Sequence, residues 1–333
     1  MSPVASQAGL PVESPAGALA AALLASLSRP AWWVLALAAF LVRGGVLIVL
    51  LPIVQLPTAA GLANAFGPAL VGFVFGGPSV SFLIAVGTIA TATLAWVVAG
   101  GLLGGSLDLV LVRGAAADEE MEDRPRPRSG DAGRAFAVRI VAHMPTVMVL
   151  GWGSVRLVDA AYQELIRPGD PALPVAVRVA LRIPEIVVGL AAAWTLGEAL
   201  GGLAVRHLAW GASLPGALVR AVRSLARPSG VATFVVTNGA LAFVIFATAT
   251  AVGIAWNHLR VVLVDGGTGA QIRVALILFS LTWTAGLWLL SLAVAWRATA
   301  WTFEVARHLP VRIPGTGTGT PRGAFPDRHD LAP

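Results

Sequence analysis

Two ionisable residues stand inside long apolar runs, and any chemistry within the membrane would have to start from them. Arg43 interrupts "FLVRGGVLIVL" and Glu198 interrupts "TLGEALGG". An arginine at the bilayer centre costs at least about 2.5–3.5 kcal/mol, so it is normally held by a partner or faces a polar cavity. At about 1.5 Å per residue, Arg43 lies roughly 16 Å in from a helix end near Trp32, and Glu198 roughly 12 Å in from an end near Arg206. An arginine side chain bridges that difference, and glycines beside both residues let their helices approach. The pair has two readings. It is a buried ion pair locking two spans, or it is one wall of a polar cavity for an anionic substrate or lipid headgroup. Asn238, Thr248 and Thr250 are candidates to extend either arrangement.

Other chemistry was sought and is missing. The chain holds no H-E-x-x-H for zinc and no G-x-S-x-G nucleophile elbow. It has no cysteine, and all 23 basic residues are arginine, which excludes thiolates, Schiff-base lysines and the P-loop lysine. The five histidines are scattered, mostly near the ends of apolar runs, and read as interfacial. No catalytic residue, metal or cofactor is expected. The net charge of +6 does not imply a nucleic-acid partner here. Arginine near helix ends in a membrane protein marks the cytoplasmic face and its anionic headgroups.

The elements that carry these residues follow from composition. The 333 residues are 57% hydrophobic and 12% charged, with mean hydropathy +0.80. Soluble domains carry about 25% charge, enough to cover a wet surface. Here the expected fold is all-α: a polytopic transmembrane helical bundle of about six spans with interfacial amphipathic helices. A hydrocarbon core about 30 Å thick asks for roughly 20 apolar residues per span. The spans fall near Trp32 to Gln55, Ser79 to Leu103, Arg139 to Leu165, Pro184 to Val205, Gly230 to Trp256 and Ile272 to Trp296. The third contains Arg156 and Asp159, which at a separation of three can pair on one helix face. Residues 1–13 and 311–333 read as disordered ends around a single membrane domain, 14–310, with a polar cytoplasmic loop at 106–133. The proline- and glycine-rich segment 57–77 reads as interfacial or re-entrant. Ser14-Pro15 is a helix start, and Leu19, Leu23 and Leu27 give a short helix along the membrane surface.

Smaller signals concern assembly. Gly100 and Gly104, Gly101 and Gly105, and Gly197 and Gly201 stand at G-x-x-x-G spacing, which suits close helix packing. "GALAAALLASLSRP" from Gly17 is echoed by "GALVRAVRSLARP" from Gly216, each followed by a span; "AVRIVAHMP" from Ala137 is echoed by "AVRVALRIP" from Ala176. Arg220, Arg223 and Arg227 form the polar stripe of an interfacial helix, opposite Leu218, Ala221, Val222 and Leu225. Spans three and four run oppositely, so only an inverted repeat would reconcile the second echo.

This succession of arginine–proline breaks before spans resembles the bacterial glycerophosphodiester phosphodiesterase membrane-domain type over roughly residues 15–310. The resemblance implies a six-span membrane module. In that type the phosphodiester chemistry belongs to a separate soluble domain, and no segment here is long enough for one, so no catalytic residue carries over. The functional expectation is a non-enzymatic multi-pass module or subunit of a membrane assembly, with the lipid bilayer and a membrane protein as partners. The alternative is a permease-like transporter of a small or lipidic anion.

Arginine counts orient the chain. With six spans in the cell membrane and both termini cytoplasmic, 16 arginines fall inside and six outside. Reporter fusions after Arg128 and Arg227 should behave as cytoplasmic, and those near Gly169 and Gly267 as external. A reporter near Gly169 that stays inside would remove the third span from this topology.

Overall fold

The computed structural model describes residues 14–54, 76–77, 79–118, 125–167, 169–170 and 173–309. The expectations for 1–13, for 311–333 and for nearly all of segment 57–77 lie outside the described residues. The helices run in the order α1 (Pro15–Leu27), α2 (Pro30–Phe40), α3 (Val46–Leu50), α4 (Val80–Asp118), α5 (Asp131–Ala142) and α6 (Met144–Ile166). They continue as α7 (Val175–Arg182), α8 (Pro184–Ala209), α9 (Leu214–Leu225), α10 (Pro228–Val264) and α11 (Gly269–Ala306). Among the described residues five helical segments are long and apolar enough to cross a membrane: α2–α3 together, α4, α8, α10 and α11. Helices α5 and α6, bent by 46° at His143, make a sixth span when taken as one. The chain is a multi-pass helical membrane protein.

Local sequence explains where helices start and break. Ser14 caps α1 by accepting the Gly17 amide, with Pro15 at the first helical position, where its missing amide hydrogen costs nothing. Thr268 and Gln271 form a capping box at the start of α11. Pro30, Pro145, Pro184 and Pro228 sit in the first turns of α2, α6, α8 and α10. A proline there cannot continue the preceding helix, because its ring clashes with the carbonyl four residues back. Both pairs of sequence echoes therefore take one local form, a helix, a short break and a proline-led helix.

Two spans differ in extent from the sequence expectation. Helix α4 does not stop near Leu103 but runs 39 residues to Asp118, so 106–118 of the expected loop is helix. The third span is broken rather than straight. Within it Arg156 does not take Asp159; it reaches across to Glu185 on α8, at 3.1 Å.

Packing is concentrated on one side of the bundle. One core gathers Leu109, Val112, Val138, Leu203, Ala217 and Trp301; a second gathers Trp32, Ala36, Phe40, Leu111, Leu290 and Val294. By contrast, every residue of α4 from Leu83 to Ala99 is exposed, a surface for lipid. Helix α1 lies against the end of α11, where Ser26 Oγ donates to Thr299 Oγ1 at 3.2 Å and Trp296 Nε1 donates to the Leu19 carbonyl at 3.0 Å. The two described ends of the chain thus meet on the packed side, called here the terminal side.

The G-x-x-x-G pairs lie within this packed half and serve intramolecular contacts. A Cβ added at Gly100 would stand 2.2 Å from the Val42 carbonyl oxygen, and one at Gly104 would stand 2.7 Å from Arg43 Cγ. Gly101 and Gly105 open the next face of α4 to α5, with Phe136 Cδ2 at 2.4 Å and Ala135 Cβ at 3.2 Å from the added atoms. Gly197 and Gly201 seat the other side of α5: the Ala142 carbonyl lies 3.1 Å from the first position and Arg139 Cγ 3.3 Å from the second. At Gly87 nothing lies within 4 Å. Gly100→Ala should therefore destabilise the protein by about 1–3 kcal/mol through overpacking against fixed backbone. Gly87→Ala should be neutral or slightly stabilising. Thermal unfolding in detergent separates them, and equal midpoints for the two variants would remove the close α2–α4 contact.

Candidate functional site

Arg43 sits on a single wide helical turn, Leu41–Gly45, between α2 and α3. Gly44 makes that turn possible, because its φ of 104° is a conformation that other L-residues adopt only under strain. Such wide turns are local departures from the helix and recur at functional sites. Arg43 Nη1 donates to Asp108 Oδ2 at 2.6 Å. The same carboxylate oxygen accepts from Arg139 Nη2. Arg139 then reaches Glu198 with its other terminal nitrogen, at 3.3 Å. Glu198 also has His143 Nε2 at 3.5 Å and Arg297 Nη2 at 3.8 Å.

A seventh member stands beside this chain of contacts, with no carboxylate in contact with it among the described residues. Arg206 is buried and, among the described residues, bonds only neutral oxygens: Thr302 Oγ1 at 3.1 Å, Gly202 carbonyl at 2.8 Å and Ala298 carbonyl at 2.6 Å. It nevertheless lies within electrostatic reach of Asp108, Arg139, Arg297 and Arg43. The network therefore joins α4, α5, α8, α11 and the turn after α2. It sets four guanidinium groups against two carboxylates. The side chains of Arg43, Asp108, Arg139, Glu198 and Arg297 are only 8% to 15% exposed.

Arg43 and Glu198 belong to one cluster, but their charged atoms make no contact within 4.0 Å. Asp108 takes the place foreseen for Glu198, and Arg139 links the two. Asp108 went unseen because α4 was expected to end five residues earlier, which left it in the polar loop. A signal was nonetheless present: Gly100, Gly104 and Asp108 recur every fourth residue and so share one helix face. Arg139, Arg206 and Arg297 fall at the ends of the expected spans, and the structure brings all three into contacts between helices.

The remaining candidates lie apart from this network. Asn238 donates to the Phe234 carbonyl at 2.8 Å, on its own helix. Thr248 packs its methyl group toward Gly286, beside a small, mostly apolar cavity of about 30 Å³. Thr250 faces an open pocket of about 500 Å³ with Asn257 and His258. The structure does not gather these three into one polar cavity. Arg220, Arg223 and Arg227 are exposed on and just after α9, while Ala217, Ala221 and Ser224 are buried against the bundle. Leu218 and Leu225 pack on the core, but Val222 is exposed. Among the described residues no group of three or more histidine and acidic side chains is arranged to hold a metal ion.

Comparisons with protein-family models, with curated proteins and with solved structures found no match to the chain. Function has to be argued from the site.

Breaking a buried charge contact typically costs about 3–5 kcal/mol, because the surviving charge is left uncompensated. Asp108→Ala strands Arg43 and leaves Arg139 with Glu198 alone, whereas Arg43→Ala leaves Asp108 still held by Arg139. The first should therefore be the more damaging. Double-mutant cycles should give a coupling of about 0.5–3 kcal/mol for Arg43 with Asp108, and a smaller one for Arg43 with Glu198. Equal couplings, read from unfolding midpoints in detergent, would remove Asp108 from its place between them.

Proposed function

We infer that the chain is a non-enzymatic membrane module, a subunit or scaffold of an assembly in the cell membrane, with both termini on the cytoplasmic side. One observation carries this reading. Arg43, Asp108, Arg139 and Glu198 are bound to one another, carboxylate to guanidinium, in contacts between closely packed helices. A permease needs its polar residues to face water from each side in turn. A network joining five helical segments favours holding them together instead.

The layout fits the same reading. Arginine–proline breaks before successive spans resemble the membrane part of the glycerophosphodiester phosphodiesterase type, which works beside a separate catalytic domain. The apolar outer half of α4, exposed on all sides from Leu83 to Ala99, supplies surface for lipid and for a membrane partner. The arginine excess on the terminal side supports its cytoplasmic placement.

The absence of native cysteine makes accessibility easy to measure. Ala142 and Ala199 are buried next to network residues. Single Ala142→Cys and Ala199→Cys variants in native membranes should resist membrane-impermeant thiol reagents added from either side. Labelling from both sides would replace the module with the anion permease.

A further inference from the structure

The network is not electrically balanced. Four arginines, Arg43, Arg139, Arg206 and Arg297, face two carboxylates, Asp108 and Glu198, and the imbalance of two positive charges stays within the cluster. Arg297 is the most loosely held of the four. Among the described residues it donates no hydrogen bond, and its one ion contact is the 3.8 Å approach to Glu198. Each guanidinium nitrogen of Arg206 donates to a neutral oxygen, so its charge is hydrogen-bonded but not neutralised. Arg139 Nε is buried without a partner. Uncompensated charge in a medium of low dielectric constant is costly and draws a counter-charge.

Depth decides what that counter-charge is. On α4 the charge-free run from Val80 to Leu107 is 28 residues, and on α11 the run from Val274 to Trp296 is 23. At about 1.5 Å per residue each covers at least roughly 34 Å, enough to cross a hydrocarbon core of about 30 Å. Asp108 and Arg297 stand at the terminal-side ends of those runs. They lie at headgroup depth rather than at the bilayer centre. Trp296, next to Arg297, and the apolar helix α1 against it are what an interface carries. Basic pockets between helices at this depth suit phosphate-bearing headgroups, and an arginine fork matches two phosphate oxygens.

We propose that Arg297, backed by Arg43 and Arg206, forms a binding site for a phosphate monoanion, supplied by the headgroup of an anionic phospholipid in the terminal-side leaflet. The site deepens the module reading and rests on it. The two fail separately, because transport shows in thiol labelling and loss of this site shows in lipid retention.

The test is native mass spectrometry of the full chain released from mixed micelles of phosphatidylglycerol and phosphatidylcholine, with a thermal-shift titration of inorganic phosphate. The wild-type protein should retain phosphatidylglycerol in preference to phosphatidylcholine. Arg297→Gln should cut that retention about fivefold or more, while Arg223→Gln, at an exposed arginine, should leave it nearly unchanged. Stabilisation by inorganic phosphate without lipid retention assigns the same site to a soluble anion and overturns the headgroup as its source. Equal loss in both variants means general surface attraction and overturns the site. Should Arg297→Gln not fold, the wild-type comparison decides alone: equal retention of the two lipids and no shift with phosphate overturn the proposal.

Discussion

Asp108 must sit within hydrogen-bonding distance of two guanidinium groups from two other helices, and much of the terminal side follows from that requirement. An arginine removed from water needs a carboxylate close by, and a carboxylate shared by Arg43 and Arg139 needs α2, α4 and α5 to approach almost backbone to backbone. Side chains on α4 would prevent it, which is why Gly100 and Gly104 precede Asp108 on one face and Gly101 and Gly105 clear the next. The same demand accounts for the backbone irregularities. The wide turn at Gly44 lies beside Arg43, and the bend at His143 lets α5 bring Arg139 between α4 and α8 while α6 leaves in another direction.

Much of the architecture was legible in composition and periodicity. Apolar runs of about 20 residues announce spans regardless of how they pack, and proline after arginine announces where helices break. The site was legible only in half. Arg43 and Glu198 stood out because charge is rare in such runs, whereas Asp108 was hidden by a length assumption. A helix needs about 20 residues to cross a bilayer, but nothing stops it there, and α4 continues for 39. Pairing was the other blind spot. Arg156 was close in sequence to Asp159, yet Glu185 on the neighbouring helix captured it, because spacing along one helix says nothing about which helix packs beside it. Hydroxyl and amide groups such as Asn238 misled in the opposite direction. They satisfy themselves on their own helix backbone and need no shared cavity.

The repeated helix–break–proline form adds a second physical layer. In its first copy, Ser26 at the end of α1 bonds Thr299; in the second, Ser224 at the end of α9 meets His207 at 3.1 Å. Each lead-in helix is thus tied sideways to a long helix of the bundle before the chain turns into its own span. Gly230 lies where a Cβ would come within 2.0 Å of the Ser224 carbonyl, so the second break is also a close backbone crossing. Such ties brace the terminal side around the charge network.

Helix α4 is braced in one half only, and the contrast bears on how the molecule works. The charge network and the glycine crossings of α4 lie on the terminal side, whereas every α4 residue from Leu83 to Ala99 is exposed. The outer side has its own contacts, with Glu164 holding Arg178 at 2.6 Å and Arg182 at 2.9 Å and Arg156 meeting Glu185 at 3.1 Å, but they join α6, α7 and α8 and not α4. Helix α4 is therefore held at one end, like a rod clamped at its base. A change in the network, whether by substitution or by a bound anion, would alter the angle at which α4 leaves that base. Over 28 residues of charge-free helix, roughly 42 Å, a small tilt at Asp108 becomes a displacement of several ångströms at Val80. The exposed outer half of α4 is accordingly the surface on which the state of the buried charges would be felt most.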